Sequence, residues 1–544
     1  MKQFKSLLVI VLMAAAIFAC KKKENEEILT IASISPASAA PGSDITITGT
    51  KFGTDASKVE VKLGTSVLAV KTVTNTQIVA TIPLGAVSGP ISVVIGGMTV
   101  TSSTPLTVSA RTIIEITADI TANATWSATN IYLLKKQFVY VQNGVTLTIQ
   151  PGTIIKGDNV TKATLVIEQG GKLMAEGTAT SPIVFTSNKP VGQRSYGDWG
   201  GIVLLGKAPV NRAESQAPEG GIRSTVLGGD IPTDNSGTLK YVRIEFPGVA
   251  LTSSANSEIN GLTLYAVGSG TVIDHVQVSY SGDDSYEWFG GTVNAKYIIA
   301  HRGFDDDFDS DWGFTGKVQF GVSLRNPAVA DQSSSNGFES DNFSGTGEPA
   351  TGPRAGLPLT EPTFANISIF TTNQTPSSST TSAPGSGPYQ SAMHLRRNTA
   401  ISIFNTLIVG YPEGLRLDNA GTLANVTADK LQLRGIVLAN VTLPYLGKNT
   451  VTDQQAQDFY TTAAYQNQVV TMADLATLSL NANSFNLTTP NFLPAAGSPL
   501  LTGALWTGKG ADAFFEKVAY KGAFGTADWT TGWTNFDPQN TEYK

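Results

Sequence analysis

Three acidic stretches recur along the middle of the chain: Tyr286-Glu287-Trp288-Phe289, Phe308-Asp309-Ser310-Asp311 and Phe338-Glu339-Ser340-Asp341, each after an apolar, strand-like run. Carboxylates on neighbouring strands lie about 4.8 Å apart, where two of them repel by about 3 kcal/mol at an effective dielectric near 20. The pattern demands relief by a bound cation, raised pKa values, hydrogen bonds or arginine. A shift of 22 residues maps Asp283-Asp284 onto Asp305-Asp306, Glu287 onto Asp309, and Met393-His394-Leu395-Arg396 onto Leu415-Arg416-Leu417-Asp418. Two columns follow. The first reads Glu287, Asp309, Glu339, His394, Arg416 and the second Phe289, Asp311, Asp341, Arg396, Asp418. Alternate strand residues share a side, so both columns belong to one face.

Such a face suits three uses. Oxygens at this density suit calcium, which takes six to eight of them, with Glu287, Asp305, Asp306, Asp309, Asp311, Glu339 and Asp341 as candidate ligands; no organic cofactor is expected. Paired carboxylates can hydrolyse a glycoside, and Arg or His beside a cation can abstract a proton from a uronic sugar. Asp309, Asp311, His394 and Arg396 are the catalytic candidates. The simplest alternative is an internal salt-bridge and hydrogen-bond ladder. Trp288 and Trp312, expected to be exposed, offer flat rings for a sugar, and Arg396 and Arg416 offer charge. An active site needs unlike residues in one unrepeated constellation, whereas these acids repeat coil by coil, which favours binding over catalysis.

Two tempting motifs fail. The run from Asp305 to Asp311 lacks the glycine and closing glutamate of an EF-hand. Gly282-Asp283-Asp284 resembles the double aspartate of polygalacturonase-like hydrolases, but their Gly-His-Gly turn is absent. Of the three histidines, His275 and His301 sit in strand-like runs that suit packing or hydrogen bonding.

The elements that must position these residues are short strands. Val276, Ile298 and Phe320 lie 22 apart, as do Val278, Ala300 and Val322, which predicts one inward position per turn. Three short strands per coil of about twenty residues predict a right-handed parallel β-helix over 112–445, with Gly or Asn at corners of positive φ. Residues 117–130 are expected to cover the first coil. Residues 446–544 should cap the other end, with a helix or two in 451–480 and an aromatic-rich stretch at 514–537. The Ser/Thr/Pro/Gly-rich segment 371–388 reads as a loop leaving the coils to wall a cleft. Upstream, residues 29–108 alternate at period two, as in Asp44-Ile45-Thr46-Ile47-Thr48-Gly49. About seven short strands there predict a β-sandwich, and an all-β chain.

The beginning of the chain gives its address. Lys2 and Lys5, an apolar run over 7–16 and Ile17-Phe18-Ala19-Cys20 make residues 1–19 an export signal, too short to be a mature membrane span. Cys20 is the only cysteine among 544 residues, so disulfides within the chain are excluded. Cleavage leaves 544 − 19 = 525 residues, and loss of Lys2 and Lys5 takes the formal charge from −6 to −8. With 15% charged residues, this offers no field for nucleic acid. Residues 20–28, with three lysines and then Glu24, Glu26 and Glu27, read as a solvated tether.

Several stretches resemble known families. Cys20 after the apolar run resembles the bacterial lipobox, which implies cleavage before it and lipidation of its thiol. The acidic run that follows resembles surface-export signals of Bacteroidota lipoproteins, implying an outer-membrane, cell-surface location. Ser35-Pro36, Pro41-Gly42-Ser43 and Gly49-Thr50-Lys51-Phe52-Gly53 resemble the opening of an IPT/TIG immunoglobulin-like domain. Gly197-Asp198-Trp199-Gly200-Gly201, Trp288-Phe289-Gly290-Gly291-Thr292 and Asp528-Trp529-Thr530-Thr531-Gly532-Trp533 resemble a family of uncharacterised bacterial surface lipoproteins with β-helical bodies, common in Bacteroidota. That resemblance implies an envelope protein accompanying TonB-dependent outer-membrane uptake systems, and carries over no catalytic residues. Residues and resemblances together predict a lipid-anchored surface protein presenting its β-helix face to a glycan or a protein partner. The alternative is a polysaccharide lyase or glycoside hydrolase working at the same face.

Overall fold

A computed structural model describes residues 28–83, 85–213, 217–223, 226–250, 258–342, 356–380 and 387–544. The export signal, Cys20 and nearly all of the tether lie outside the described residues. The chain forms two compact units that divide after Ser109.

The first unit is the immunoglobulin-like sandwich. Its strands pair antiparallel in the order Thr30–Ser35, Asp44–Thr50, Gln77–Thr81, Ser66–Thr74, Val59–Leu63, Gly89–Ile95 and Met98–Val108, with Ser38–Ala39 parallel at the end. Period-two alternation sends Ile45, Ile47, Val61, Leu63, Ile78, Ala80, Ile91 and Val93 into the core and their neighbours outward.

The second unit is a parallel β-helix. One wall is a ten-stranded sheet in which Leu262–Tyr265, Tyr286–Phe289, Phe308–Asp311, Phe338–Ser340, Ser391–Leu395 and Glu413–Asp418 follow one another. The rest of the coil belongs to a seventeen-stranded sheet. Between them runs a continuous core of residues such as Leu204, Leu264, Trp288, Phe308, Val278, Ile298, Phe364 and Leu417. Each coil satisfies its backbone through the coils above and below, so strands of three to nine residues suffice.

The inward register departs from the 22-residue rule at one coil. Val276 pairs with Ile298 and Val278 with Ala300, but Ile298 pairs with Gly321 and Ala300 with Ser323. Phe320 is therefore not inward. It occupies a left-handed corner, φ 62°, in register with Tyr241, His275 and Tyr297 before it and Asn366, Asn405 and Gly435 after it, all of positive φ. Glycine or asparagine was the expected choice, yet four of these corners carry rings. A left-handed non-glycine residue costs roughly 1–2 kcal/mol. Stacking offsets it: ring centroids are 4.4 Å apart from Tyr241 to His275, 4.5 Å to Tyr297 and 5.0 Å to Phe320.

The ends also differ from expectation. Residues 117–130 are part of the first coils rather than a lid over them, since Thr112–Ile116 already pairs with Asn130–Leu134 and Ala124–Trp126 with Thr146–Ile149. At the other end one helix, Asp453–Tyr460, closes the core with Ala456, Phe459 and Tyr460, its start fixed by a Thr452/Gln455 capping box. Two short 3-10 turns, Ala463–Tyr465 and Leu475–Leu478, follow in place of a second α-helix. The last seventy residues do not cap. They run back along the outside of the seventeen-stranded sheet as a strap, reaching Gln277 at Asn535 and Glu245 at Tyr543.

Candidate functional site

The ten-stranded sheet turns Tyr286, Trp288, Phe308, Ser310, Phe338, Ser340, Met393 and Leu395 inward, which leaves the alternate residues facing out. Its pairing is Glu287 to Asp309, Asp309 to Glu339, Glu339 to His394 and His394 to Arg416. In the second column Phe289 pairs with Asp311, Asp341 donates its N–H to the Ser310 carbonyl, and Arg396 donates its own to the Ser340 carbonyl. The corner before these strands stacks Asp283-Asp284 on Asp305-Asp306: Asp306 N–H donates to Asp284 Oδ1 at 2.8 Å, and Ser285 N–H to the Asp306 carbonyl at 2.9 Å.

These residues separate into two groups. Glu287, Asp305, Asp306, Asp309 and Glu339 line a cavity of about 280 Å³ with Asp283, Asp284, Glu219, Glu258, Asp331, Asn260 and Ser333. No Lys, Arg or His is among the described residues that line it. Oxygens of Asp283, Asp284 and Asp305 lie within 4.8 Å of one another, and so do oxygens of Asp284, Glu287 and Asp309, with Asp284 common to both sets. Asn260 donates its amide to Glu287, and Ser333 Oγ donates to Asp305 Oδ2 at 2.5 Å. Asp305 Oδ1 and Asp309 Oδ1 are buried and without a hydrogen-bond partner among the described residues.

The second group is neutralised. Asp311 sits 3.4 Å from Arg212 and accepts from Trp312 N–H. Asp341 meets Arg396 at 2.9 Å and Arg397 at 2.7 Å, and Arg396 also reaches Glu339 at 2.7 Å. His394 lies 3.0 Å from Glu339 and 3.9 Å from Asp418. Arg416 pairs with Glu413 at 2.9 Å. Among the candidate calcium ligands, Asp311 and Asp341 thus stand outside the cavity, and each basic candidate already holds a carboxylate.

Protonation follows this division only in part, for burial also raises Asp341 and takes Asp311 to about 7 against the pull of their arginines. Burial first, and neighbouring carboxylates second, push Asp283, Asp284, Glu287, Asp306 and Asp309 well above the ordinary carboxylate range, and raise Glu219 and Asp305 to about 7. At Glu339 burial also acts upward, but Arg396 and His394 outweigh it and hold the group at about 2. Burial would lower His394; hydrogen bonding to Asp418 and Glu339 raises it instead.

The two tryptophans are not where a sugar could reach them. Trp288 points into the core, fully buried, its ring stacked 5.3 Å from that of Phe314. The alternation that turns Glu287 outward turns Trp288 inward, so one strand cannot expose both. Trp312 faces out but is 5% exposed, packed on Phe289 and Tyr265 and covered by the Arg212 guanidinium. Glu219, Glu258 and Asp331 come from connections outside the coil register, where periodicity gives no signal. Asp283 and Asp284 were within reach of the 22-residue shift. In the 371–388 segment, residues 381–386 lie outside the described residues, and with them the rest of the expected cleft wall.

Comparison with known proteins places this architecture. Residues 118–484 match the pectate-lyase-like β-helix domain. The chain belongs to that family. Residues 29–110 match the IPT/TIG domain. No curated protein matches the chain. Among solved structures, an auxiliary nutrient binding protein from Bacteroides thetaiotaomicron is 21% identical over 15% of this chain, with a TM-score of 0.15. The match spans 21% of that protein's length. Dex49A from Penicillium minioluteum is 13% identical, covering 78% of this chain and 81% of its own, with a TM-score of 0.22. The family 28 exopolygalacturonase of Yersinia enterocolitica is 10% identical, covering 77% and 95%, with a TM-score of 0.17.

Proposed function

We propose that this is a lipid-anchored protein of the outer membrane, exposed at the cell surface, whose β-helix binds an acidic glycan through calcium held in the carboxylate cavity. The observation that carries the reading is the pair of carboxylate sets sharing Asp284, in a cavity with no cationic side chain among its described lining. Ten acids around about 280 Å³ repel one another unless protons or a cation intervene. Calcium suits them because it accepts mixed carboxylate, carbonyl and water ligands in loose geometry. A cation so held keeps positions for oxygens of a partner, and a uronate supplies them. Cys20 would carry the lipid, and a TonB-dependent uptake system is the partner that the surface-lipoprotein resemblance suggests.

A lyase or hydrolase at the same face is the second reading, favoured by Arg396 and His394 beside Glu339. Against it, Arg396 is committed to two carboxylates, and His394 to Glu339, so neither is a free base. Titration calorimetry of the full chain with calcium tests the first reading. Binding should be lost in Asp284→Asn combined with Asp309→Asn, and unchanged heat in that variant would sink it. Release of unsaturated or reducing ends from acidic polysaccharides would replace binding by catalysis.

A further inference from the structure

Arg325 is fully buried at a corner where its counterparts on earlier coils stack instead. Glu245 pairs with Ser279, Ser279 with His301 and His301 with Leu324, so the residues that follow them, Phe246, Tyr280, Arg302 and Arg325, succeed one another at this corner. The first three are left-handed, φ 61°, 57° and 59°. Phe246 lies on Tyr280 with ring centroids 5.0 Å apart, and the Arg302 guanidinium lies 4.7 Å over the Tyr280 ring. Arg325 has no positive φ and leaves the stack, turning its side chain in beneath the corner that carries Asp305 and Asp306.

There the guanidinium gathers oxygens. Nη2 donates to the carbonyls of Asp305 at 2.7 Å and Phe304 at 3.1 Å, Nη1 to that of Asn336 at 2.9 Å, and Nε to the Tyr389 hydroxyl at 3.0 Å. Asp307, equally buried, balances the charge with Oδ1 3.2 Å from Nη1. Such a pair is weak support for stability, since apolar residues of the same volume often do as well. What it gives here is direction. A trans peptide points its carbonyl and N–H opposite ways. The peptide that offers its Asp305 carbonyl to Arg325 donates its Asp306 N–H to Asp284 Oδ1 at 2.8 Å. Asn336, held by its carbonyl, donates its N–H to Asp306 Oδ1 and its side-chain amide to Asp306 Oδ2 at 3.3 Å. Arg325 thus stands one peptide away from Asp284, the carboxylate common to both sets, and one residue away from Asp306.

We propose that Arg325 is a positioning residue for the cation site: by drawing the Asp305 and Asn336 carbonyls inward it aims Asp284 and Asp306 into the cavity, without touching the cation itself. The proposal rests on the calcium reading above and names the group that preorganises the site. Removing a group that orients a metal's ligands changes affinity about 10–100-fold. Charge alone predicts the opposite sign, because a guanidinium beneath a cation site repels the cation. Removing Arg325 together with Asp307 leaves the net charge as it was and isolates the positioning.

The test is calorimetry of the full chain with calcium at pH 8, with near-ultraviolet circular dichroism to certify the folded state. Two variants are compared with the parent: Arg325→Gln combined with Asp307→Asn, and Tyr389→Phe, which removes the hydroxyl that receives Nε. The double variant should bind calcium about thirtyfold more weakly. Tyr389→Phe, which leaves the guanidinium in place, should bind it about threefold more weakly. A purely structural pair would lower the melting temperature in chelator and leave the affinity of the folded protein alone. Parental affinity in the folded double variant therefore overturns the positioning role and leaves the cation site standing. Where the double variant does not fold, Tyr389→Phe decides in the same way. If the parent itself binds no calcium, the reading of the cavity falls and this proposal falls with it.

Discussion

The two sheets of the β-helix present opposite outer surfaces. On the seventeen-stranded sheet the chain supplies its own covering. Gln277 and Asn535, Gln319 and Glu516, and Asn405 and Leu505 each exchange two hydrogen bonds, side-chain amide against strap backbone. Phe492, Phe524 and Trp533 bury the outward Ile299, Val322, Phe370 and Leu407. Trp529 and Trp533 meet the corner ladder edge-on at Tyr297 and His275. On the ten-stranded sheet nothing comparable among the described residues covers the carboxylates, and within those residues Asp305 and Asp309 keep buried oxygens unpartnered. A polar group turned toward a built-in partner stabilises the fold, and one turned toward no partner is a place for something from outside.

The largest effect expected from breaking this contrast is on the covered side. Trp533→Ala removes a ring that is 1% exposed at the centre of the strap cluster and should cost about 4 kcal/mol in urea unfolding, with calcium affinity unchanged. A cost below about 1 kcal/mol would show the strap to be an appendage. On the other face, the boundary between compensated and uncompensated charge is Arg396. Arg396→Ala leaves Glu339 to His394 and Asp341 to Arg397 and should cost about 3 kcal/mol, part of it recovered by added calcium, which the parent residue makes unnecessary at that coil. Identical losses with and without calcium would mean that a cation held in the cavity does not reach Glu339.

Much of this arrangement is legible in the residues alone. The fold class, the column from Glu287 to Arg416 and its turn from acid to base follow from apolar alternation and a repeat length, because coil-to-coil pairing forces equivalent residues into register. The failures have one physical source. Phe320 was placed by a 22-residue spacing that lengthens to 23 at its coil, and Trp288 and Trp312 by residue type, whereas left-handed corners and inward alternation decide where each side chain points. Glu219, Glu258 and Asp331 enter from irregular connections, and the strap meets strands more than a hundred residues earlier through amide rungs that no local pattern marks.

The smaller predictions concern the uncovered face alone. Carboxyls raised by burial bind protons in the folded protein that the unfolded chain releases near pH 4, so their contribution to stability falls as pH rises through the window. For Glu219 and Asp305 that window runs from about pH 4 to about 7, and Asp283, Asp284, Glu287, Asp306 and Asp309, raised in the same direction, add to the effect. Cation-free protein should therefore melt progressively lower from pH 5 to pH 8, by an amount worth about 2 kcal/mol, and calcium should abolish the slope. Glu339, held at about 2, has the opposite sign: its contribution is fully present above about pH 4 and is lost as pH falls toward 2.

The smallest effect discriminates most sharply. Asp284→Asn keeps an oxygen for the Asp306 N–H but removes the charge common to both carboxylate sets. In chelator at pH 8 it should stabilise the protein by about 1 kcal/mol, since it relieves repulsion, and in calcium it should destabilise relative to the parent, since it removes a shared ligand. A ladder built only for structure gives one sign in both conditions. Opposite signs, read from two melting curves of a single variant, are what a cation site alone produces.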